Sequence, residues 1–231
     1  MSHQPAEPTT ADPSRYLEQF NEDLLALLPE GARTFLDVGC AGGRLGAAIK
    51  QRRPGARVDG LEYDAAAAEL AREHLDVVHQ VDLDQGLPAL EQVYDCVVCG
   101  DVLEHLVNPW VALRRLVGVL RPGGHVVASI PNVRYYKVLR DLVLRGRFTY
   151  REVGVLDSTH LRFFTLHEMR RLFAAAGLTV LEARPRLGGG NALLRTLDAC
   201  LLGGLEELRA VQYTLVGRLA PQPAGDAPAA S

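Results

Sequence analysis

"FLDVGCAGGRLG", residues Phe35–Gly46, is the most informative segment of this chain. Its apolar start predicts a buried strand, and its end predicts the first turn of a helix. The turn between them contains three glycines and two other small residues, which are Gly39, Cys40, Ala41, Gly42 and Gly43. Missing side chains allow backbone N–H groups and a helix N-terminus to approach a ligand closely. A tight turn without a ligand uses glycine equally well, so this segment alone leaves ligand binding open.

Strands and helices alternate on both sides of this segment. Candidate strands are Thr34–Val38, Arg57–Leu61, Val77–Val81, Asp95–Cys99 and His125–Ile130. Candidate helices are Arg44–Arg53, Ala65–His74 and Pro109–Leu120, and "RPGGH" ends the third of them. An earlier helix is predicted from Ser14, as its N-cap, to Pro29. Short buried strands separated by helices indicate an α/β fold with a doubly wound, mostly parallel sheet.

The alternation changes after Pro131. A segment at about 132–165 intervenes before the helix "LHEMRRLFAAAG" and the strand "LTVLEARP". We predict that this insertion after the fifth strand is a lid over the active site. The last apolar run, "VQYTLVGRL", is expected to be a final strand at the edge of the sheet.

Composition favours one intracellular domain. With 231 residues and 48% apolar content, the chain suits a single α/β domain, predicted at 14–220 between disordered tails at 1–13 and 221–231. A formal charge of −3 argues against general binding to nucleic acid or to membrane surfaces. The N-terminus has no signal-peptide pattern and no apolar run reaches the ~20 residues of a membrane helix, so we predict a cytoplasmic protein.

Two of the four cysteines resemble a metal-binding pair. Cys96 and Cys99 lie three residues apart in "DCVVCG", which reads as a buried strand, so their side chains should point to opposite faces. We therefore prefer reduced core thiols to a zinc site.

Carboxylates follow the ends of three further candidate strands. Glu62 ends the second strand, Asp82 follows the third, and Asp101 and Glu104 follow the fourth. Ligands of an open parallel sheet bind at the carboxyl ends of its strands, where Glu62 could accept both hydroxyls of a ribose. Four acidic positions at this edge predict a nucleoside ligand that carries a positive charge.

A dinucleotide cofactor is the main alternative. The fingerprint G-x-G-x-x-G fails here, because counting from Gly39 places Ala41 and Arg44 at the required glycine positions. An acidic pocket would also repel a pyrophosphate, so NAD is disfavoured.

From Leu24 to Leu219 the chain resembles the class I S-adenosylmethionine-dependent methyltransferases. The resemblance is carried by "LDVGCAGG", "GLEYD", "VDLD", "YDCVVCGDVLEHLVNP" and "LRPGGHVVASIPN", in this order. It implies a Rossmann-like sheet of seven strands with the last strand antiparallel, a methyltransferase activity, and S-adenosyl-L-methionine as cofactor. One departure is Ala41, where the family usually has glycine.

The resemblance also implies which residues bind the cofactor. They are Asp37, Gly39, Cys40, Ala41, Glu62, Tyr63, Asp82, Leu83, Gly100 and Asp101. Asp37 would orient the loop. The methionine part would be flanked by Gly39, Cys40, Ala41, Gly100 and Asp101. Glu62 would hold the ribose beside Tyr63, and Asp82 and Leu83 would contact the adenine.

Later motifs resemble several subfamilies that do not share a substrate. "VASIPNVRYY", "GRFTYREVGVLDSTHLRFFT" and "AAAGLTV" resemble small bacterial methyltransferases of glycan or secondary-metabolite pathways. "VDLDQGLP" resembles proteins linked to methionine biosynthesis, and "DVLEHL" resembles ubiquinone-pathway O-methyltransferases. In the last group, residues matching Asp101, Glu104 and His105 can bind a divalent metal. We predict no resident metal here and keep these three residues as the alternative.

Methyl transfer needs mainly alignment and exclusion of water, but a hydroxyl acceptor also needs a base. His105 and His160 are the candidate catalytic residues. Their alternative roles are shaping the pocket for His105 and pinning the lid through a backbone hydrogen bond for His160.

Substrate binding is predicted for four residues, Asn132, Tyr135, Tyr136 and Arg162. Residues 134–151 include six basic side chains and a single acidic one, Asp141, so the net charge of this segment is +5. This run is either a solvated helix face or an attractor for an acidic acceptor.

We therefore predict methyl transfer from S-adenosylmethionine to an oxygen, with nitrogen as the second choice, of a small acceptor, and the basic run would suit an anionic one. The expected partner is a small molecule rather than nucleic acid or membrane. Two alternatives stay open, a cofactor-binding regulatory protein and an enzyme that uses the same cofactor for ring closure.

Overall fold

The computed structural model of the chain describes residues 20–90, 92–189 and 205–221. The strands are β1 Thr34–Val38, β2 Arg57–Glu62, β3 Val77–Gln80, β4 Tyr94–Gly100, β5 Leu120–Pro131, β6 Leu178–Leu187 and β7 Ala210–Leu219. The helices are α1 Glu22–Ala26, α2 Arg44–Arg52, α3 Ala65–Ala71, α4 Pro109–Val117, α5 Tyr136–Arg145, α6 Leu166–Ala175 and α7 Glu206–Arg209, with a 3₁₀ turn at Leu103–His105. No helix in the described part of the chain is long and apolar enough to cross a membrane.

The seven strands form one sheet in the order β3-β2-β1-β4-β5-β7-β6. Strands β1 to β5 pair in parallel, and β7 runs antiparallel to both of its neighbours. The predicted doubly wound sheet with an antiparallel last strand is therefore confirmed. The strand order changes direction between β1 and β4, and ligands of such sheets bind at the carboxyl ends next to this point.

The predicted position of the last strand at the sheet edge is wrong. β7 lies between β5 and β6, and β6 is the edge strand. The physical reason is burial. Six consecutive residues of β7, Gln212–Gly217, are buried, whereas β6 is exposed at most of its positions. A largely apolar segment such as "VQYTLVGRL" is typical of a strand covered on both faces, which an edge strand of this sheet is not.

Strand β5 also begins earlier than predicted. "RPGGH" was expected to separate α4 from a strand at His125, but β5 starts at Leu120. Leu120 pairs with Tyr94, and the next pair is His125 with Cys96, so the residues between them form an irregular bulge. A Cβ on Gly124 would lie 2.9 Å from the carbonyl oxygen of Arg121, which explains why this bulge contains glycine.

Both faces of the sheet are covered by helices. On β1, Phe35 and Leu36 point to opposite faces, and both are fully buried. Phe35 packs in a core cluster with Ile49 of α2. Leu36 packs in a second cluster with Leu113 of α4 and Phe173 of α6. Each such side chain stabilises the fold by about 2 kcal/mol, so the cores hold the strand ends in place.

Side chains cap the N-termini of α3 and α4, which lie near the carboxyl edge of the sheet. Asp64 accepts a 2.8 Å hydrogen bond from the N–H of Ala67 at the start of α3. Asn108 accepts one of 3.1 Å from the N–H of Val111, and Pro109 occupies the first position of α4, as predicted. The predicted N-cap Ser14 and most of the predicted tails lie outside the described residues, in which α1 begins after Asn21.

Candidate active site

The loop after β1 is tightly packed against its own protein neighbours. Gly39 and Gly43 have φ angles of 66° and 77°, in the left-handed region. A Cβ on Gly39 would lie 2.6 Å from Cγ2 of Val102, and one on Gly43 would lie 3.0 Å from Cα of Ala71. Close approach of neighbouring elements therefore already requires glycine at both positions. Ala41, in the same loop, has a φ of 46°, which a residue with a side chain rarely adopts.

Glu62 organises this loop. Its Oε2 accepts a 2.8 Å hydrogen bond from the N–H of Ala41. Its Oε1 accepts two bonds of 2.9 Å from the N–H groups of Tyr63 and Asp64. The carboxylate is buried and joins the ends of β1 and β2. The residue expected to hold a ribose therefore already stabilises the turn beside it.

Asp37 is a buried carboxyl group on the other side of this loop. It is 2% exposed, and its Oδ2 has no hydrogen-bond partner. Burial, and secondarily the negative charge of Glu62, raise the pKa of Asp37 to about 7. A buried oxygen without a partner is costly unless something pairs with it, so this carboxyl suits a cationic ligand.

Asp101 lies at the end of β4 in a fixed and unusual conformation. Its φ is 55°, and its N–H donates to Oγ of Ser129 over 3.1 Å. The hydroxyl of Ser129 in turn donates to Oδ2 of Asp101 over 3.1 Å. Burial raises the pKa of Asp101, and the hydrogen bond from Ser129 opposes this shift.

Two residues absent from the sequence predictions complete this network. Nε2 of Gln212, on β7, donates to Oδ1 of Asp101. Nδ2 of Asn21 donates to Oε1 of Gln212 over 3.3 Å. A buried glutamine inside the apolar run "VQYTLVGRL" was a usable signal, because buried polar side chains need partners.

His105 contacts His160, which belongs to the inserted segment, defined as residues 132–165. Their ring centroids are 4.8 Å apart in an edge-on arrangement. Nδ1 of His105 lies 3.2 Å from the carbonyl oxygen of Thr159, and Nδ1 of His160 lies 3.1 Å from that of Val155. A carbonyl oxygen only accepts, so these contacts assign the proton to Nδ1 and leave a lone pair on each Nε2.

Burial lowers the pKa of His105 below its ordinary value of 6.5, and the neighbouring His160 lowers it further. A lowered pKa keeps His105 neutral at pH 7, the state in which imidazole accepts a proton. Next to both rings lies Glu104, which is 1% exposed and has no hydrogen-bond partner for either carboxyl oxygen. Burial, and secondarily the charge of Asp101, raise the pKa of Glu104 well above its ordinary range.

Glu104, His105 and His160 each offer a ligand atom within 4.8 Å of the others. Asp101, which belonged to the predicted metal alternative, is outside this group. A divalent ion would have to displace the proton that burial favours on Glu104. Cys96 and Cys99 are buried and free, and among the described residues they belong to no group of metal ligands.

One cavity of about 1570 Å³ joins these features. It brings together nine of the predicted site residues, namely Asp37, Gly39, Cys40, Ala41, Gly100, Asp101, His105, Tyr135 and His160. The predicted residues outside its lining are Glu62, Tyr63, Asp82, Leu83, Asn132, Tyr136 and Arg162. The cavity therefore contains the residues expected at the methionine end of the cofactor site, and those expected to contact the adenine are not part of its lining.

The residues outside the lining have identifiable surroundings. Tyr63 is 73% exposed at the edge of the sheet. Nδ2 of Asn132 donates to the carbonyl oxygens of Glu207 and Ala210, so its amide holds the end of β5. The guanidinium of Arg162 donates to the carbonyl oxygens of Leu161 and Val107.

The inserted segment supplies much of the cavity wall. Tyr135, which precedes α5, and Val138 on α5 pack with Leu156 in a small core of their own. His160 also lies near the ring of Phe163, at a centroid distance of 6.4 Å. These contacts give the segment an apolar anchor over the site.

Comparisons with known proteins identify the family and the fold of the chain. The methyltransferase domain family model matches residues 12–183. The ubiquinone biosynthesis O-methyltransferase of Aeromonas salmonicida (strain A449) is 32% identical over 155 residues, which are 64% of this chain and 63% of that protein. The protein of the same name from Serratia proteamaculans (strain 568) is 37% identical over 143 residues, 59% of this chain and 58% of that protein. The chain thus spans less than two thirds of the length of these relatives.

The fold is similar to that of solved methyltransferases. A chain from the complex of the Haloferax volcanii Trm112 methyltransferase activator with a methyltransferase has a TM-score of 0.61 at 21% identity, covering 86% of this chain and 88% of that chain. Because the family model matches most of the sequence, the chain belongs to the methyltransferase domain family.

Proposed function

We propose that the protein transfers the methyl group of S-adenosylmethionine to a hydroxyl oxygen of a small acceptor, with His105 as the base. The observation that supports this most directly is the contact of its Nδ1 with the carbonyl oxygen of Thr159. That contact leaves Nε2 of a neutral ring able to accept a proton at the cavity wall.

The site fits the cofactor through its charges and its shape. The unpartnered Oδ2 of Asp37 and the carboxylate of Asp101 are suited to the positively charged ammonium group of the methionine part. The loop at Gly39–Ala41 has no bulky side chain, so its backbone can approach the cofactor closely. Glu62, with Tyr63 beside it, would take the ribose, and the same proposal assigns the adenine to Asp82 and Leu83. When bound, the cofactor supplies a methyl group that is electrophilic because it is attached to a positively charged sulfur.

The residues of the chain then have three tasks. Asp37 and Asp101 hold the donor in line, so that the C–S bond breaks as the new O–C bond forms. Nε2 of His105 takes the hydroxyl proton of the acceptor. His160, edge-on to His105, positions that ring, and the inserted segment acts as a lid that excludes water.

The acceptor is proposed to bind beside Tyr135, which lines the cavity and contacts Tyr136 in an edge-on arrangement. Asn132 and Arg162, whose polar atoms hold backbone carbonyls, would shape this region rather than contact the acceptor directly. The O-methyltransferase names of the two relatives support oxygen over nitrogen as the acceptor atom.

The proposal is tested first by calorimetric titration with S-adenosylhomocysteine, and then by mass spectrometry of products from a panel of phenols. We expect S-adenosylhomocysteine as product, and at least a hundredfold loss of turnover in His105→Gln. The matched control is His167→Gln on α6, whose side chain is 77% exposed. If S-adenosylhomocysteine binds but no phenol is methylated, the result would favour a regulatory protein that binds the cofactor. Release of methylthioadenosine would show that a different bond of the cofactor is broken.

A further inference from the structure

The cavity is lined by an excess of basic side chains, although the whole chain carries a formal charge of −3. The basic lining residues are Arg44, Lys137, Arg140, Arg145, Arg147, Arg151 and Arg186. The acidic lining residues are Asp37, Asp101, Asp141 and Asp157. Two of the acidic residues belong to the proposed cofactor end, so the remaining surface of the cavity is strongly positive.

Internal ion pairs neutralise only part of this charge. Asp141 accepts from both Arg140 and Arg145, at 2.8 Å and 3.0 Å. Lys137 lies 5.9 Å from the centre of the Tyr135 ring. Three further arginines of the cavity lining form no salt bridge with another described residue, although Arg151 interacts electrostatically with Asp141 and Arg186 with Asp101. We call Arg147, Arg151 and Arg186 the arginine trio.

The backbone holds the members of the trio that belong to the inserted segment. The N–H of Arg147 donates to the carbonyl oxygen of Asp141 over 2.9 Å, just after Gly146 ends α5 with a φ of 60°. The N–H of Arg151 donates to the carbonyl oxygen of Leu156 over 2.8 Å. These side chains therefore extend into the cavity from fixed positions rather than from a free loop.

We propose that the arginine trio binds an anionic group of the methyl acceptor, a carboxylate or a phosphate. This inference rests on the proposed function and specifies its acceptor class. Guanidinium groups bind such planar or multi-oxygen anions through paired N–H donors. Asp37 and Asp101 repel an anion and attract the cationic cofactor, so the acceptor enters with its charged end toward the trio and its hydroxyl toward His105.

A solvated basic surface is the alternative, because charge runs are usually exposed faces of helices. Two contrasts argue against it. Arg186 comes from β6 and lines the same cavity as residues about forty positions earlier in the chain. Arg184, two residues away on the same strand, pairs with Glu182 over 2.8 Å and is not part of the lining. Arg134, at the start of the basic run, pairs with Glu207 instead.

The trio is exposed to solvent, so its attraction for an anion is partly screened. We therefore expect a preference of about tenfold in the dissociation constant, which corresponds to about 1.4 kcal/mol, at a salt concentration of about 50 mM. The preference should shrink at about 300 mM salt, where the Debye length is shorter.

The test compares three probes of similar shape by calorimetric titration of the full chain, both saturated with S-adenosylhomocysteine and free of it. The probes are 4-hydroxybenzoate, 4-hydroxyphenyl phosphate and the neutral 4-hydroxybenzamide. We expect at least one anion to bind about tenfold more tightly than the amide. The stronger anion identifies whether the acceptor class is a carboxylate or a phosphate.

The variant is the triple substitution Arg147→Gln, Arg151→Gln and Arg186→Gln, and Arg184→Gln is the matched control. The triple variant should lose the anion preference and keep its affinity for S-adenosylhomocysteine, while the control keeps both. The proposal is overturned if the anions and the amide bind equally well, or if none of the probes binds. It is also overturned if the triple variant still prefers the anions over the amide. Failure of S-adenosylhomocysteine to bind would instead contradict the proposed function, since the anion preference is also measured without it.

Discussion

The N–H of Ala41 donates a 2.8 Å hydrogen bond to Oε2 of Glu62, and this bond connects the loop after β1 to the end of β2. Glu62 also accepts from two N–H groups of its own turn, so one carboxylate satisfies three backbone donors. A buried donor that loses its acceptor destabilises the protein by about 1–3 kcal/mol.

We therefore predict that Glu62→Gln lowers the free energy of unfolding by about 1–3 kcal/mol and weakens S-adenosylhomocysteine binding by at least about tenfold. The glutamine amide would place N–H groups against backbone N–H groups. Urea unfolding and calorimetric titration measure the two effects. Glu69→Gln, at a site with 75% side-chain exposure on α3, is the control and should change stability by less than about 0.5 kcal/mol. A Glu62→Gln protein as stable as the parent would contradict the role given to this carboxylate.

Ala41 should tolerate glycine but not valine. Its φ of 46° strains any residue with a Cβ, and a β-branched side chain most of all. Relief of this strain in Ala41→Gly is offset by the larger freedom of glycine in the unfolded chain, so stability should stay within about 1 kcal/mol. Ala41→Val should lose about 2 kcal/mol or more. Equal stabilities of the two variants in thermal unfolding would show that the loop relaxes to another conformation.

Asp37 should make the ligand-free protein less stable as the pH rises. Its pKa is about 7 when folded, against an ordinary value of 3.8, so the folded state retains a proton that the unfolded chain has lost. Stability from this group is therefore lost between about pH 4 and pH 7, by about 4 kcal/mol in total.

Asp37→Asn removes this titration. The stability of the variant relative to the parent should increase from pH 4 to pH 7 and then level off, as measured by urea unfolding at each pH. The same variant should bind S-adenosylhomocysteine poorly, because Asp37 is proposed to face the cationic part of the ligand. A stability difference that does not change with pH would mean that Asp37 is ionised in the folded protein.

Gln212 should support cofactor binding through Asp101. Gln212→Leu removes the donor to Oδ1 of Asp101, and hydrogen bonds to charged groups contribute about 1.5–3 kcal/mol. We expect the dissociation constant for S-adenosylhomocysteine to rise by about tenfold or more. Asn21→Ala, one bond further away, should have a smaller effect. The control is Gln51→Leu on the exposed side of α2. Unchanged binding in Gln212→Leu would show that Ser129 alone holds Asp101.

The alternation of strands and helices was readable from the sequence because β1 to β4 are short apolar runs bounded by turns. Thr34–Val38 was predicted with its observed bounds, since the residues after it are glycine and small side chains. The place of β7 was predicted wrongly, although its largely apolar sequence indicated burial on both faces.

The side chains at the strand ends were also predictable, because a period-two pattern and the parallel sheet bring them to one edge. The partners of Asp101 were not, because Asn21 and Gln212 are separated by 191 positions and meet only in the folded chain. Arg186 was missed for the same reason. Arg186 lines the same cavity as the inserted segment but is distant from that segment in the sequence.

The position of β7 has a consequence for synthesis of the protein on the ribosome. This strand is the last of the described strands in sequence order, yet it inserts between two earlier strands and brings Gln212 to Asp101. Chains emerge and fold from the N-terminus, so β5 and β6 must wait for β7 with their edges unpaired. The nascent polypeptide can form the glycine-rich loop early, but the contact of Gln212 that supports Asp101 forms only after β7 has been translated.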